Sequence, residues 1–300
     1  MSQFKNFLNI EPQYSCIEKS KAVIVPFGYE ASTSYKKGTK NGPRAIISAS
    51  SQVELFDEEL EKEVYKDIGL CTISEPKYKK GSNFYLSLAE KTTEILASKK
   101  FPVILGGEHT ITFGGVMGAK KIYKSFSVLH FDAHADLRDT YEGDKLSHAC
   151  VMRRVSELKE IKSLVQVGIR NISNEKKEGS EFDFYKENQS RIKIFWAKDK
   201  EKWDIEKILQ SLEKDVYLTF DVDVFDPSIM PSTGTPEPGG LYWQEVSKIL
   251  KQVFIKKNII AIDVVELCPI KDFSSPDFMV AKLIYKMIGY KFLLDKKDVA

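Results

Sequence analysis

Several features that would move a chain out of the ordinary soluble globular class are scarce in this one. Its four cysteines, Cys16, Cys71, Cys150 and Cys268, are far apart and form no Cys-x-x-Cys pair, so neither a thiolate zinc site nor a redox pair is indicated. Reduced thiols are the expectation. No apolar run reaches the roughly 18 to 20 residues that a membrane-spanning helix requires, and no membrane partner is expected. Met1 to Glu11 alternate polar residues with single apolar ones and lack the charged-then-apolar layout of a secretory leader, which points to a cytoplasmic protein. Net charge is small, +2, and lysines stand among glutamates in short runs such as Glu175-Lys176-Lys177-Glu178. That leaves no electrostatic footprint for nucleic acid. Linkers, low-complexity tracts and internal repeats are also missing, so residues 1–300 read as one domain.

What is present is an alternation of short Val/Ile/Leu-rich runs with longer segments of helical period, the pattern of a parallel sheet flanked by helices. The expected strands are Ala22 to Pro26, Tyr65 to Leu70, Pro102 to Gly106, Ser127 to Phe131, Leu164 to Ile169, Arg191 to Phe195, Val216 to Asp221 and Ile259 to Val265. Asn83 to Ser98, Trp203 to Lys214, Trp243 to Lys256 and Pro276 to Ile288 read as crossover helices. Ligands of such α/β sheets bind beyond the carboxyl ends of the strands. Four of the expected strands end in polar clusters there: Gly106-Gly107-Glu108-His109, Asp132-Ala133-His134-Ala135-Asp136, Asp221-Val222-Asp223 and Asp263-Val264-Val265-Glu266.

In Asp132-Ala133-His134-Ala135-Asp136 every second residue is metal-capable, and an extended segment would turn all three to one side. Asp221 and Asp223 repeat the spacing, and His109 adds an imidazole from a third strand end. Taken singly, an Asp-x-Asp is usually a solvated turn, and a histidine after two glycines can simply begin a helix. Together they supply four carboxylates and two imidazoles, more than one divalent ion takes while leaving room for a ligand. Oxygen-rich ligation without thiolate favours Mn²⁺, with zinc and cobalt as alternatives.

Gly106-Gly107-Glu108-His109, Phe131-Asp132-Ala133-His134-Ala135-Asp136 and Phe220-Asp221-Val222-Asp223 resemble, in order and separation, the three signature motifs of the ureohydrolase (arginase and agmatinase) family. Pro26-Phe27-Gly28, Asn41-Gly42-Pro43-Arg44, the glycine-rich Thr233-Gly234-Thr235-Pro236-Glu237-Pro238-Gly239-Gly240 and Asp263-Val264-Val265-Glu266 extend the likeness over most of the chain. The resemblance implies a three-layer α/β/α sandwich around a mainly parallel sheet of about eight strands. It implies one Mn²⁺ on His109, Asp132, Asp136 and Asp221, and a second on Asp132, His134, Asp221 and Asp223, with a hydroxide between them. It further implies a small-molecule guanidino substrate, cleaved to urea and an amine, and a homo-oligomer, trimer or hexamer.

On the same resemblance Asp136 accepts and passes the hydroxyl proton. His148 is the mobile proton carrier, suited by an ordinary pKa near 6.5. Glu266 is the counterion of the guanidinium, since a carboxylate accepts two parallel hydrogen bonds from it. Thr235 is a candidate substrate contact, with plain turn chemistry as its alternative. His130, two residues before the motif, reads as a residue behind the ligands or a packed core histidine.

The loop Leu137 to Lys145 resembles the agmatinase version and carries Asp139, Glu142 and Asp144. These acids suit the ammonium of agmatine if they face the pocket mouth. Agmatine, cleaved to putrescine and urea, is therefore the expected substrate. Arginine, guanidinobutyrate and other guanidino amines are the alternatives within enzymes, and a catalytically silent metal-binding scaffold is the alternative outside them.

Overall fold

Eight runs of branched apolar residues form one sheet in the computed structural model, which describes residues 6–79, 81, 83–177 and 179–294. The strands are β1 (Ala22–Phe27), β2 (Leu70–Thr72), β3 (Phe101–Gly106), β4 (Phe126–Phe131), β5 (Ile161–Ile169), β6 (Ile192–Trp196), β7 (Asp215–Asp221) and β8 (Asn258–Val265). Their order across the sheet is β2-β1-β3-β8-β7-β4-β5-β6, and every neighbouring pair is parallel. Every residue of β1, β3 and β4 is buried, as a sheet covered on both faces requires.

The two faces have separate cores. Leu129, Phe131, Leu218, Phe220, Ile262 and Val264 point to a face covered by helices Gly42–Ser50, Ile205–Gln210, Trp243–Lys256 and Ser275–Leu293. Val128, Leu164, Tyr217 and Ala261, with Val23, Val25 and Ile104, point to the other, covered by Tyr85–Ala97, Ile111–Ile122 and Val151–Ser156. The result is the expected α/β/α sandwich. Helix Ile111–Ile122 escapes a propensity reading because Gly114, Gly115 and Gly118 interrupt it. Its glycines serve close packing: a Cβ at Gly115 would collide with the Tyr217 hydroxyl.

Seven expected strands lie within a residue or three of their observed limits, but Tyr65 to Leu70 does not. Val64–Ile68 is a short helix closed by Gly69 at φ 68°, and the strand begins only at Leu70. Gly69, placed between Ile68 and Leu70, was the available sign. The helix expected over Trp203 to Lys214 is confined to Ile205–Gln210, whose start is fixed by the Asp204 side chain accepting from the Glu206 amide. Among the described residues no helix is long and apolar enough to cross a membrane, and all four cysteines are free.

Candidate metal centre

The central strands β3, β8, β7 and β4 are neighbours, and the polar clusters of the sequence follow their carboxyl ends. Beyond β3 the chain passes so close to the end of β1 that a Cβ on Gly107 would run into the Tyr29 carbonyl. This tight passage delivers His109, almost fully buried, over the sheet. Beyond β4 the chain leaves the strand at once. His134 makes one isolated bridge to Asn171, and Asp136 takes φ 53°. Asp223 lies in a single 3-10 turn, Val222–Val224, where its amide donates to Asp221 Oδ1 at 2.9 Å. The ligand-bearing residues thus converge as expected, but through turns and a left-handed aspartate rather than by simple strand alternation.

Two groups result. His109 Nδ1 lies 3.0 Å from Asp132 Oδ2, 3.1 Å from Asp136 Oδ2 and 3.3 Å from Asp221 Oδ2. It is buried and aligned for a hydrogen bond to none of them. Donors about 2.1 Å from a common ion and at right angles stand about 3.0 Å apart, so these four atoms have the spacing of a coordination shell. In the second group His134 Nδ1 lies 2.9 Å from Asp223 Oδ2 and 3.5 Å from Asp132 Oδ1. Asp132 therefore turns one oxygen to each group. The residues present fit a pair of divalent ions.

The electrostatics agree with that reading. Burial opposes a charge on His109, yet Asp132, Asp136 and Asp221 together hold its pKa well above the ordinary range. His134 is raised in the same way by Asp223 and Asp132, against burial. Asp136 is pushed up to about 7 by burial and by the charge of Asp132. Asp221 is raised well above a normal carboxylate by burial, Asp223 and Asp132. Protons are thus partly standing in for cations, and metal binding would release them.

Glu266 follows β8 at φ 64°, a costly conformation for a residue with a side chain. Its amide donates to the Gly107 carbonyl, and its Oε1 accepts from the His109 amide at 2.6 Å. Burial and the nearby Glu108 hold its pKa well up. The carboxylate faces a cleft of about 780 Å³, open mouth included, together with His109, Asp132, His134, Asp136, His148, Asp221, Asp223 and Thr235. Every expected site residue therefore borders one cavity. His130 is fully buried behind it, with Nε2 2.7 Å from Asp132 Oδ2.

Two features of the cleft depart from expectation. His148 is held from both sides, Nδ1 3.1 Å from Ser32 Oγ and Nε2 3.0 Å from Ser34 Oγ, and Ser34 also meets the Tyr141 hydroxyl. No local signal 114 residues away marks Ser34 for this role. Burial and the charges of His134 and His109 push His148 down to about 4. Asp139, Glu142 and Asp144 do not line the cleft. From their loop Arg138 and Tyr141 do, and Asp139 instead accepts from Arg154 at 2.7 Å. None of the three carboxylates borders the cleft, so the expected acidic mouth is not formed. Thr233, unnoticed as a site residue, lines the cleft with a buried hydroxyl that has no partner.

Carboxylates and imidazoles gathered over the strand ends in this way are the equipment of metal-assisted hydrolases. The chain belongs to the arginase family, whose pattern matches residues 20–289, and it is a ureohydrolase of the agmatinase type. It is similar to an N(1)-aminopropylagmatine ureohydrolase of Synechocystis sp., 39% identical over 95% of this chain and 94% of that one. An agmatinase of Pyrococcus horikoshii is 30% identical, with 91% and 93% covered. Among solved structures, agmatine ureohydrolase of Thermoplasma volcanium superposes with a TM-score of 0.82 at 26% identity, covering 97% of this chain and 95% of the other.

Proposed function

We propose that the chain hydrolyses a linear guanidino amine to urea and a primary amine, with two Mn²⁺ ions held by His109, Asp132, His134, Asp136, Asp221 and Asp223. The observation that carries this is Glu266: a buried carboxylate beside the ligand cluster, one oxygen fixed by the His109 amide and the other turned to the same cleft. A carboxylate so fixed can take two parallel N–H donors of a guanidinium and set its carbon over the cluster. Bound there, the cations would supply Lewis acidity and lower the pKa of a water toward neutrality.

The protein's own groups manage the protons. Asp136, a carboxylate bordering the cleft beside the cluster, can accept one. His148, on the wall of the same cleft, can hand a proton to the leaving amine. The contacts to Ser32 and Ser34 set where that imidazole rests, and the lone hydroxyl of Thr233 offers the substrate a further acceptor.

Agmatine is the substrate read from the sequence, and the names of the relatives at 39% and 34% identity favour its longer aminopropyl derivative. One observation favours a second reading. Lys36 and Arg138 line the cleft, and a guanidino acid would place its carboxylate near them. Urea release by the Mn²⁺-loaded protein from N1-aminopropylagmatine, agmatine, guanidinobutyrate and arginine separates these. The highest kcat/KM is expected for one of the two amines. A preference for either acid refutes the guanidino-amine reading.

A further inference from the structure

One row of the sheet is polar where its neighbours are apolar. Gln166 on β5, His130 on β4, Thr219 on β7 and Asp263 on β8 are partners in register across four adjacent strands. All four are completely buried. The rows on either side, Val165-Leu129-Leu218-Ile262 and Val167-Phe131-Phe220-Val264, hold only apolar side chains. Buried polar groups are costly unless each finds its partner, so the direction of every hydrogen bond in the row is constrained.

From one end, Asp263 accepts from the hydroxyls of Tyr217 at 2.7 Å, Thr219 at 2.6 Å and Thr112 at 3.1 Å. With its proton spent on Asp263, Thr219 turns a lone pair to His109 Nε2 at 3.0 Å. His109 thus keeps a proton on Nε2, and Nδ1, among the carboxylates, is the nitrogen whose lone pair would meet an ion once its own proton is released. From the other end, the Ala135 carbonyl accepts from Gln166 Nε2 at 2.7 Å, and a flipped amide would set two oxygens face to face. The same nitrogen donates to His130 Nδ1 at 2.9 Å. His130 therefore also bears its proton on Nε2, which points at Asp132 Oδ2. One row makes one histidine a ligand and the other a donor.

Proximity alone would group His130 with the ligands. We propose instead that His130 is a positioning residue, fixed by Gln166 as a donor, which orients the carboxylate of Asp132 so that it can bridge two ions. The lone pairs of Asp132 support this division. Oδ2 receives His130 Nε2–H, and Oδ1 receives the His134 amide at 2.5 Å. Each oxygen keeps one lone-pair direction for an ion, and the carboxylate loses the freedom to rotate and chelate only one.

The proposal rests on the two-ion reading above, and one pair of variants tests it. In glutamine the amide nitrogen stands as many bonds from Cβ as His130 Nε2 does. In asparagine it stands one bond nearer, where Nδ1 is. His130→Gln keeps the donor to Asp132, and His130→Asn loses it. Mn²⁺ titration of the metal-stripped proteins by calorimetry should show the Asn variant binding about 10- to 100-fold more weakly and the Gln variant close to wild type. Metal-free melting temperatures of the two variants should be alike, which separates orientation from general damage to the core. If the Asn variant does not fold, Gln166→Met, which frees the His130 tautomer without touching Asp132, should weaken binding in the same direction. Equal Mn²⁺ affinity in the Gln and Asn variants, or no weakening in Gln166→Met, overturns the proposal. A wild type that takes up only one ion per chain overturns the bridge itself, a result distinguishable from the first.

Discussion

Glu266→Gln is the sharpest perturbation of the substrate reading, because the amide is nearly isosteric and keeps an oxygen for the His109 amide, now at 2.6 Å. What changes is the oxygen facing the cleft, which becomes an N–H₂ group turned toward the N–H donors of a guanidinium. A hydrogen bond to a charged group contributes about 1.5 to 3 kcal/mol, and here one of a pair is replaced by a donor–donor contact while the other loses its charge. The loss should be about 2 to 4 kcal/mol, a fall of roughly 30- to 1,000-fold in kcat/KM. Most should fall on KM, since the ion pair forms before the reaction. Steady-state urea release, with Mn²⁺ content measured on the same samples, reads the effect. Metal content should stay at the wild-type value. Without metal the variant should melt no lower than wild type, because a buried carboxylate held well above its ordinary pKa by burial and Glu108 has been removed. A loss below about fivefold at full metal content refutes the role of Glu266 as the guanidinium partner.

Three other outcomes follow from the same geometry. Asp132→Asn should lower occupancy of both ions, since its two oxygens face different groups, whereas His134→Asn should weaken only one, as read by metal analysis after dialysis. The metal-free protein should melt higher as pH falls from about 8 to about 6.5 in differential scanning fluorimetry, and Mn²⁺ should abolish or reverse the trend. The sign follows from raised folded-state pKa values at Asp136, Asp221, Glu266, His109 and His134, whose stabilisation is complete below the unfolded values and lost as pH rises. The depressed His130 and His148 oppose it only below about 6.5, where unfolded histidines take up protons. Neutralising Asp139, Glu142 and Asp144 together should leave the ratio of kcat/KM for agmatine and arginine within about twofold of wild type, while breaking the Arg154 pair costs about 1 kcal/mol of stability.

The ligands were legible in the sequence because metal chemistry restricts residue type and because polar residues at the ends of apolar strands have few other reasons to be there. The sheet was legible for a related reason: strands buried on both faces read as apolar runs, and β1 and β3 are of that kind. The short helix Val64–Ile68 was misread because a five-residue segment is too short to show a period. The acidic loop failed differently. Asp139, Glu142 and Asp144 have the right charge for an ammonium, but none borders the cleft, and Asp139 is turned to Arg154, which arrives from the next helix.

Strain was equally hidden. Asp136 and Glu266 both sit at positive φ, and both are buried acids with raised pKa values. Neither the backbone nor the ionisation is a low-energy choice for the metal-free chain. Such residues persist where the surroundings over-determine them: the Asp136 carbonyl accepts the Arg153 amide, and the Glu266 backbone and side chain are both tied to Gly107 and His109. The polar row beneath shows the same logic from the other side. His130, Gln166, Thr219 and Asp263 each look out of place in an apolar strand when read singly. Only strand order and register set them shoulder to shoulder, and only that adjacency turns four anomalies into a platform that assigns a proton to each imidazole. Sequence spacing therefore names the atoms that can meet an ion, whereas the sheet decides which of them arrive with a lone pair free.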